Sequence, residues 1–235
     1  MTQPNRTGIT DRYRYDDLRA LMTRMTGDEK HAASATSTLD VLWVLYDRIL
    51  RVAPSTMDDP DRDQLLLSKG HGPMAYYAVL AATGFLPAEW LDTFGQLDSP
   101  LGHHPDRLLI PGVEISSGSL GHGLPIAVGV ALGQRTRGSR GHTYVLVGDA
   151  ELDEGTNHEA IAYAGATGLH GLTTIVIDNH SATHGWPGGI ATRFSVNGWS
   201  AATVNGRDHQ ALHTALTTSQ PGHPHVVVAV VQPKE

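Results

Sequence analysis

Residues 142–180 read HTYVLVGDAELDEGTNHEAIAYAGATGLHGLTTIVIDNH. Two runs inside this stretch, HTYVLVG and LTTIVID, are continuous and rich in β-branched apolar residues. Strands covered on one face alternate apolar with polar; unbroken runs belong to strands buried on both faces, as in parallel sheets. The segment EGTNHEAIAYAGATG between them reads as a helix, so the stretch predicts a β-α-β unit with a right-handed crossover. Downstream, a helical DHQALHTALTTS leads to a third run, HPHVVVAVV. Upstream, QLLLSKGHG opens as a short buried strand, and PMAYYAVLAATG as a helix stopped by Gly84. PAEWLDTFGQ reads as a short helix with Pro87 in its first turn.

Towards the amino end the pattern predicts a helix over 16–26, then a polar turn, GDEKHAASATST. A second helix over 38–51 follows, with Leu39, Leu42, Leu45, Tyr46, Ile49 and Leu50 on one face. Residues 98–118 are irregular and rich in Gly, Pro, His and Ser, a length of loop that is more often functional than idle. They run into GSLGHGLPIAVGVALGQRT, whose small residues suit a closely packed helix starting near Gly121. The expected fold class is α/β, an open parallel sheet flanked by helices, forming a single domain over residues 1–235.

The composition excludes several classes. A net charge of −7 argues against nucleic acid or an anionic membrane as principal partner. With no cysteine, thiolate metal sites and thiol nucleophiles are ruled out. No stretch approaches the roughly 18 apolar residues of a membrane span, and the polar amino terminus lacks a signal-peptide core, so a cytoplasmic location is expected. Most of the fourteen histidines are expected on the surface or in loops.

In an open parallel sheet, ligands gather at the carboxyl ends of the strands. Asp149 and Asn179 both stand at such ends. A carboxylate, an amide oxygen and a backbone carbonyl are hard donors suited to Mg²⁺ or Ca²⁺. The same residue types at strand ends also serve as helix caps and turn formers, and an isolated pair does not separate the two readings.

The wider pattern does more. GDAELDEGTNHEA…IVIDNHSATHG resembles the thiamine-diphosphate signature, with Ala150 where a second glycine is usual. LSKGHGPMAYYAVLAATGFLP, GHHPDRLLIPGVEISSGSLGHGLPIAVGVALG and FSVNGWSAATVNGRDHQAL are similar, in the same order, to segments of transketolase. Together they cover about residues 14 to 232, the amino-terminal, diphosphate-binding domain of that family. The resemblance implies thiamine diphosphate as cofactor, with Mg²⁺ (or Ca²⁺) held by Asp149, Asn179 and the carbonyl of Ser181. It implies cofactor contacts from His71, Gly118, Ser119, Leu120, Gly148, Asp149, Ala150, Glu154 and Asn179. Glu154 matches an acid that links paired active sites at a subunit interface. His31, His71 and His104 fall at active-site histidine positions, where imidazole can bond sugar hydroxyls and move protons; His103 replaces His104 if the register shifts by one. The helix near Gly121 is expected to offer amides to anionic groups. His122, His158, His180, His209 and His213 are expected at helix or loop surfaces.

His158, His180 and His184 depart from the family pattern. No segment here corresponds to the family's pyrimidine-binding or carboxyl-terminal domains. The resemblance therefore implies the N-terminal subunit of a split transketolase, completed by a second chain that carries the pyrimidine-binding domain, as a heterotetramer. The reaction implied is two-carbon ketol transfer from a ketose phosphate to an aldose acceptor. Two other readings stay open: a component of a 2-oxoacid dehydrogenase or decarboxylase, and a non-catalytic regulatory relic. A dinucleotide-binding protein fits poorly, because no Gly-x-Gly-x-x-Gly follows an early strand.

Overall fold

A computed structural model describes residues 13–26 and 32–232, with the backbone alone over 32–35. Five parallel strands form one sheet: β1 (Gln64–Leu67), β2 (Thr143–Gly148), β3 (Leu172–Asp178), β4 (Ser200–Asn205) and β5 (His225–Val230), in the order β1-β2-β3-β5-β4. Among the described residues seven α-helices accompany them: α1 (Tyr15–Thr23), α2 (Ala32–Val44), α3 (Met74–Ala82), α4 (Gly123–Arg137), α5 (Gly155–Ala166), α6 (Gly189–Ser195) and α7 (His209–Thr217).

The continuous apolar runs are explained by the two faces. Leu65, Leu67, Leu146, Ile175, Ile177 and Val227 point into a core shared with α1, α2, α3 and α7. Their neighbours Leu66, Val145, Val147, Val176 and Val228 point the other way, against α4, α5 and α6. Every position of β2 is buried, so a polar side chain there would need an internal partner.

Two elements carry no clear sequence signal. β4 is one of the two edge strands, with alternating burial and mostly small or polar residues, SAATVN. α6 is a two-turn helix behind Gly188, which takes a left-handed conformation. The second helix also begins earlier than its apolar face suggests. Residues 32–37, expected as a polar turn, are already helical, and Ser37 and Thr38 are buried. Beyond Val44 the helix widens into a π turn over Leu45–Ile49. The segment over 88–93 is a 3₁₀ helix.

Polar interactions fasten the helical layer. The buried Asp40 carboxylate accepts from Tyr15 Oη at 2.6 Å, Arg207 Nη1 at 2.7 Å and His209 Nε2 at 2.9 Å, tying α1 and α2 to the start of α7. His209 is thus turned inward, not left on the surface. His225 is also buried, with its ring against Ser200 Oγ and the Ala215 carbonyl. Burial pushes the His142 imidazole down to about 4. The histidines are therefore not all peripheral.

Burial alone would raise the Asp40 carboxyl, but the bonds from Tyr15, Arg207 and His209 outweigh it and hold the group below its ordinary value. A carboxyl depressed in the folded state adds stability above its unfolded value of about 3.9, and that stability is lost as pH falls through the folded value. Asp40→Asn should lower stability at pH 7 by about 3 kcal/mol, because it leaves Arg207 without its counter-charge. In urea titrations the gap to the wild-type chain should narrow below about pH 4; a gap unchanged with pH would refute this assignment.

Candidate functional site

The sheet brings its functional residues to the carboxyl ends of β1, β2 and β3. β2 and β3 are neighbours, and Gly148 pairs in register with Ile177. Asp149 and Asn179, the next residue beyond each strand end, therefore lie side by side, and both are buried. Both Asp149 oxygens are engaged: Oδ1 accepts from Ala150 N at 2.8 Å and Ser181 Oγ at 2.6 Å, and Oδ2 from Ser181 N at 2.6 Å and Ala182 N at 3.1 Å. The Asn179 Oδ1 atom is buried with no hydrogen-bond partner among the described residues. A buried amide oxygen left bare is costly, and a hard cation would satisfy it. Among the described residues, no cluster of three or more His, Asp or Glu side chains is placed to hold a metal. A cation here would rest on one carboxylate with amide and carbonyl oxygens.

His71 and His104 meet edge to face, with ring centroids 5.1 Å apart. His103 packs instead against Phe94. His31 lies outside the described residues. The loop of Gly118, Ser119 and Leu120 passes beside this pair. At Gly118 φ is +131°, and a β-carbon would stand 2.8 Å from His104 Cδ2. Gly70 has no room either, since a β-carbon there would meet Ser117 Oγ at 2.7 Å. The two glycines let the β1 end and the 117–120 loop close on the histidines. Ser119 and Leu120 are exposed, as is Glu154 at the start of α5. Gly148 faces the alkyl stem of Lys69, and Ala150 begins the turn after Asp149.

Sequence reasoning missed the group that joins these pieces, Glu151. It is 1% exposed, whereas Glu154 three residues later faces outward. Its carboxylate accepts from Ser68 Oγ at the β1 end, from Gly121 N at 3.1 Å and from Gly148 N at 3.3 Å. Its own carbonyl takes Asn157 Nδ2 at 2.6 Å. Burial raises the Glu151 carboxyl above its ordinary value, against the pull of those three bonds. At the start of α4 two amides are taken up within the chain. The Gly121 amide is taken by Glu151 and the Gly123 amide by Ser68 Oγ at 3.0 Å, so neither points at an external group. Glu114 is a second anchor. It is paired with Arg62 and bonded by Gln64 Nε2 at 3.3 Å, and it holds the loop between His104 and Gly118 against β1.

Residues 14–230 match the family model described as transketolase, thiamine diphosphate binding domain. The chain belongs to the transketolase family, as its thiamine-diphosphate-binding domain. It is 38% identical over 206 residues to an apulose-4-phosphate transketolase subunit of Actinobacillus succinogenes, covering 85% of this chain and 75% of that protein. It is 57% identical over 220 residues to a Rhodococcoides fascians protein named ferredoxin fas2, covering 93% of this chain and 72% of that one. Ferredoxin clusters are held by cysteine thiolates, and this chain has no cysteine. Transketolase from Leishmania mexicana superposes with a TM-score of 0.76 at 26% identity, over 93% of this chain and 36% of that one. The Pichia stipitis enzyme complexed with sedoheptulose-7-phosphate gives 0.78 at 26%, over 92% and 36%. The chain thus spans little more than a third of these solved transketolases. No helix among the described residues is long and apolar enough to cross a membrane.

Glu151→Ala would leave three buried donors bare and should cost about 3 kcal/mol in chemical denaturation. Ser68→Ala, which removes one of those donors and leaves the Gly123 amide bare, should cost less, about 2 kcal/mol. Equal losses from the two variants would contradict the central place given to Glu151.

Proposed function

We propose that this chain is the thiamine-diphosphate-binding half of a split transketolase that moves a two-carbon ketol unit from a ketose phosphate to an aldose-type acceptor. The observation carrying this reading is the bare, buried Asn179 Oδ1 beside Asp149 at the ends of neighbouring parallel strands. In this reading, Asp149, Asn179 and the Ser181 carbonyl hold Mg²⁺ (or Ca²⁺), which binds the diphosphate. For a cation to reach Asp149, one of the four bonds that its oxygens now accept would have to give way. When bound, thiamine diphosphate supplies the electron sink for carbon–carbon cleavage. This chain's residues orient and protonate around it. Gly118, Ser119, Leu120, Gly148 and Ala150 would contact it. His71 and His104, with His31, bond the donor's hydroxyls and shuttle protons, since imidazole both donates and accepts near neutral pH.

A complementary chain supplies the pyrimidine-binding domain, and the exposed Glu154 faces the contact between paired sites in an assembly of two of each chain. Relatives from Actinobacillus succinogenes and Phocaeicola vulgatus, each named as one subunit of an apulose-4-phosphate transketolase, support the two-chain organisation. The enzyme works in the cytoplasm on this reading, with neither nucleic acid nor membrane as a partner.

Calorimetric titration of thiamine diphosphate and Mg²⁺ into the reconstituted pair tests it. Asp149→Ala and Asn179→Ala should each weaken binding by at least about 100-fold, beyond the range for groups outside the metal's own ligands. Unchanged affinity in both variants would defeat the assignment, as would a wild-type pair that binds no cofactor.

A further inference from the structure

We propose that the pocket behind the 180–190 loop is an oxyanion site, in which Arg193 takes a carboxylate or phosphate group through the Nε–Nη2 edge of its guanidinium. The proposal goes beyond the thiamine reading, whose metal ligand Asp149 lines the same pocket. Arg193 stands on α6 with only 4% of its surface exposed. Its Nε and Nη2 atoms are buried and have no hydrogen-bond partner among the described residues. Those two nitrogens form the edge that takes both oxygens of a carboxylate or phosphate. The same edge is filled elsewhere in this chain. Arg24 gives it to Asp92 at 2.8 and 2.5 Å, and Arg51 gives it to Asp63 at 3.2 and 2.7 Å. Both of those arginines are far more exposed than Arg193. The best-buried of the three guanidinium groups is the one whose Nε–Nη2 edge has no partner among the described residues.

A guanidinium does not shed its proton, so burial leaves a fixed positive charge that an anion would neutralise. What surrounds it does not do so. The Trp186 ring lies 4.6 Å from Cζ, a cation–π contact weaker than the solvation lost. Asp153 attracts Arg193, but burial is the larger effect. The cavity at the site, about 320 Å³, is lined by Asp149, Asp153, Asp178, Trp186 and Arg193 among others, and has room for a phosphate. Two of its carboxylates are committed: Asp149 to Ala150, Ser181 and Ala182, and Asp178 to the His180 amide and ring. Among the described residues Asp153 accepts only a 3.4 Å bond from His184 N, which makes it the internal competitor for Arg193. An incoming oxyanion must displace the Trp186 indole. That ring is 38% exposed and sits between Gly185 and Gly188, the latter at φ +80°.

The test follows Trp186 fluorescence and melting temperature of the full chain, titrated with inorganic phosphate or acetate against chloride at matched ionic strength. Trp186→Phe identifies the signal. A saturable emission change is expected, with a rise in melting temperature of about 5 °C or more at saturation. Arg193→Met should abolish both, and Arg193→Lys, which keeps charge but loses the edge, should weaken the anion at least about tenfold. In buffer without added oxyanion, Arg193→Met should melt no lower than wild type, because it removes an uncompensated buried charge. If adding the complementary chain removes the response, its carboxylate is the occupant; if the response persists, the occupant is a free anion. A chain that ignores both oxyanions would overturn the proposal. So would equal destabilisation by Arg193→Met and Asp153→Asn, which would mean that Arg193 is already paired internally.

Discussion

A buried carboxylate must find donors, and Glu151 finds them on three separate pieces of chain: the end of β1, the end of β2 and the turn before α4. Each of these pieces carries part of the site. Ser68 precedes Gly70 and His71, Gly148 precedes Asp149, and Gly121 follows the Gly118–Leu120 loop. Leaving any of the three donors bare inside the protein would cost more than the bond itself contributes, so the pieces are held together by the penalty for separating them. The Asn157 amide on the Glu151 carbonyl locks the turn from its other side. The relative placement of histidines, glycines and metal-type ligands thus refers back to one side chain that touches none of the proposed ligands.

Asp149 has a different character. All four of its accepted bonds come from chain that follows a strand end, two of them from the Ser181 amide and hydroxyl. The carboxylate that would serve a cation is also the one that shapes the 180–188 loop. Loop conformation and cation affinity are therefore linked: whatever moves Ser181 and Ala182 changes the oxygens offered at Asp149, and the reverse holds equally. Trp186 belongs to the same loop and lies over Arg193 on α6, so an anion on Arg193 would act on the loop that Asp149 grips.

The parts of the fold legible in the sequence are those where burial is two-sided. β2, β3 and β5 announce themselves because both faces of each need apolar residues, and a run such as VVVAV has no other ordinary use. β4 is buried on one face at the edge, and SAATVN is too small and polar to stand out. The same limit divides the site. Gly-His spacing and the Asp149–Asn179 interval are local signals and survive in the sequence. DAELDEG, however, holds four acids of which one is a structural hub and one faces solvent, and nothing local distinguishes Glu151 from Glu154. Only the long-range approach of Ser68 and Gly121 does. His103 and His104 are equivalent in the sequence; in the fold, Phe94 claims the first and His71 the second.

Arg193 shows the limit most sharply. In ATRFSVNGW it looks like an ordinary basic residue near the end of a helix, where a cation is favourable. Its significance arises from what the fold withholds. Trp186 covers it, Asp178 and Asp149 are turned to other donors, and the edge that Arg24 and Arg51 each give to an aspartate has nothing to accept it among the described residues. A sequence records which charges a chain carries; how they are paired is decided by approaches between distant segments. An unpaired charge is therefore legible only once the fold has brought every possible partner into place and left one out.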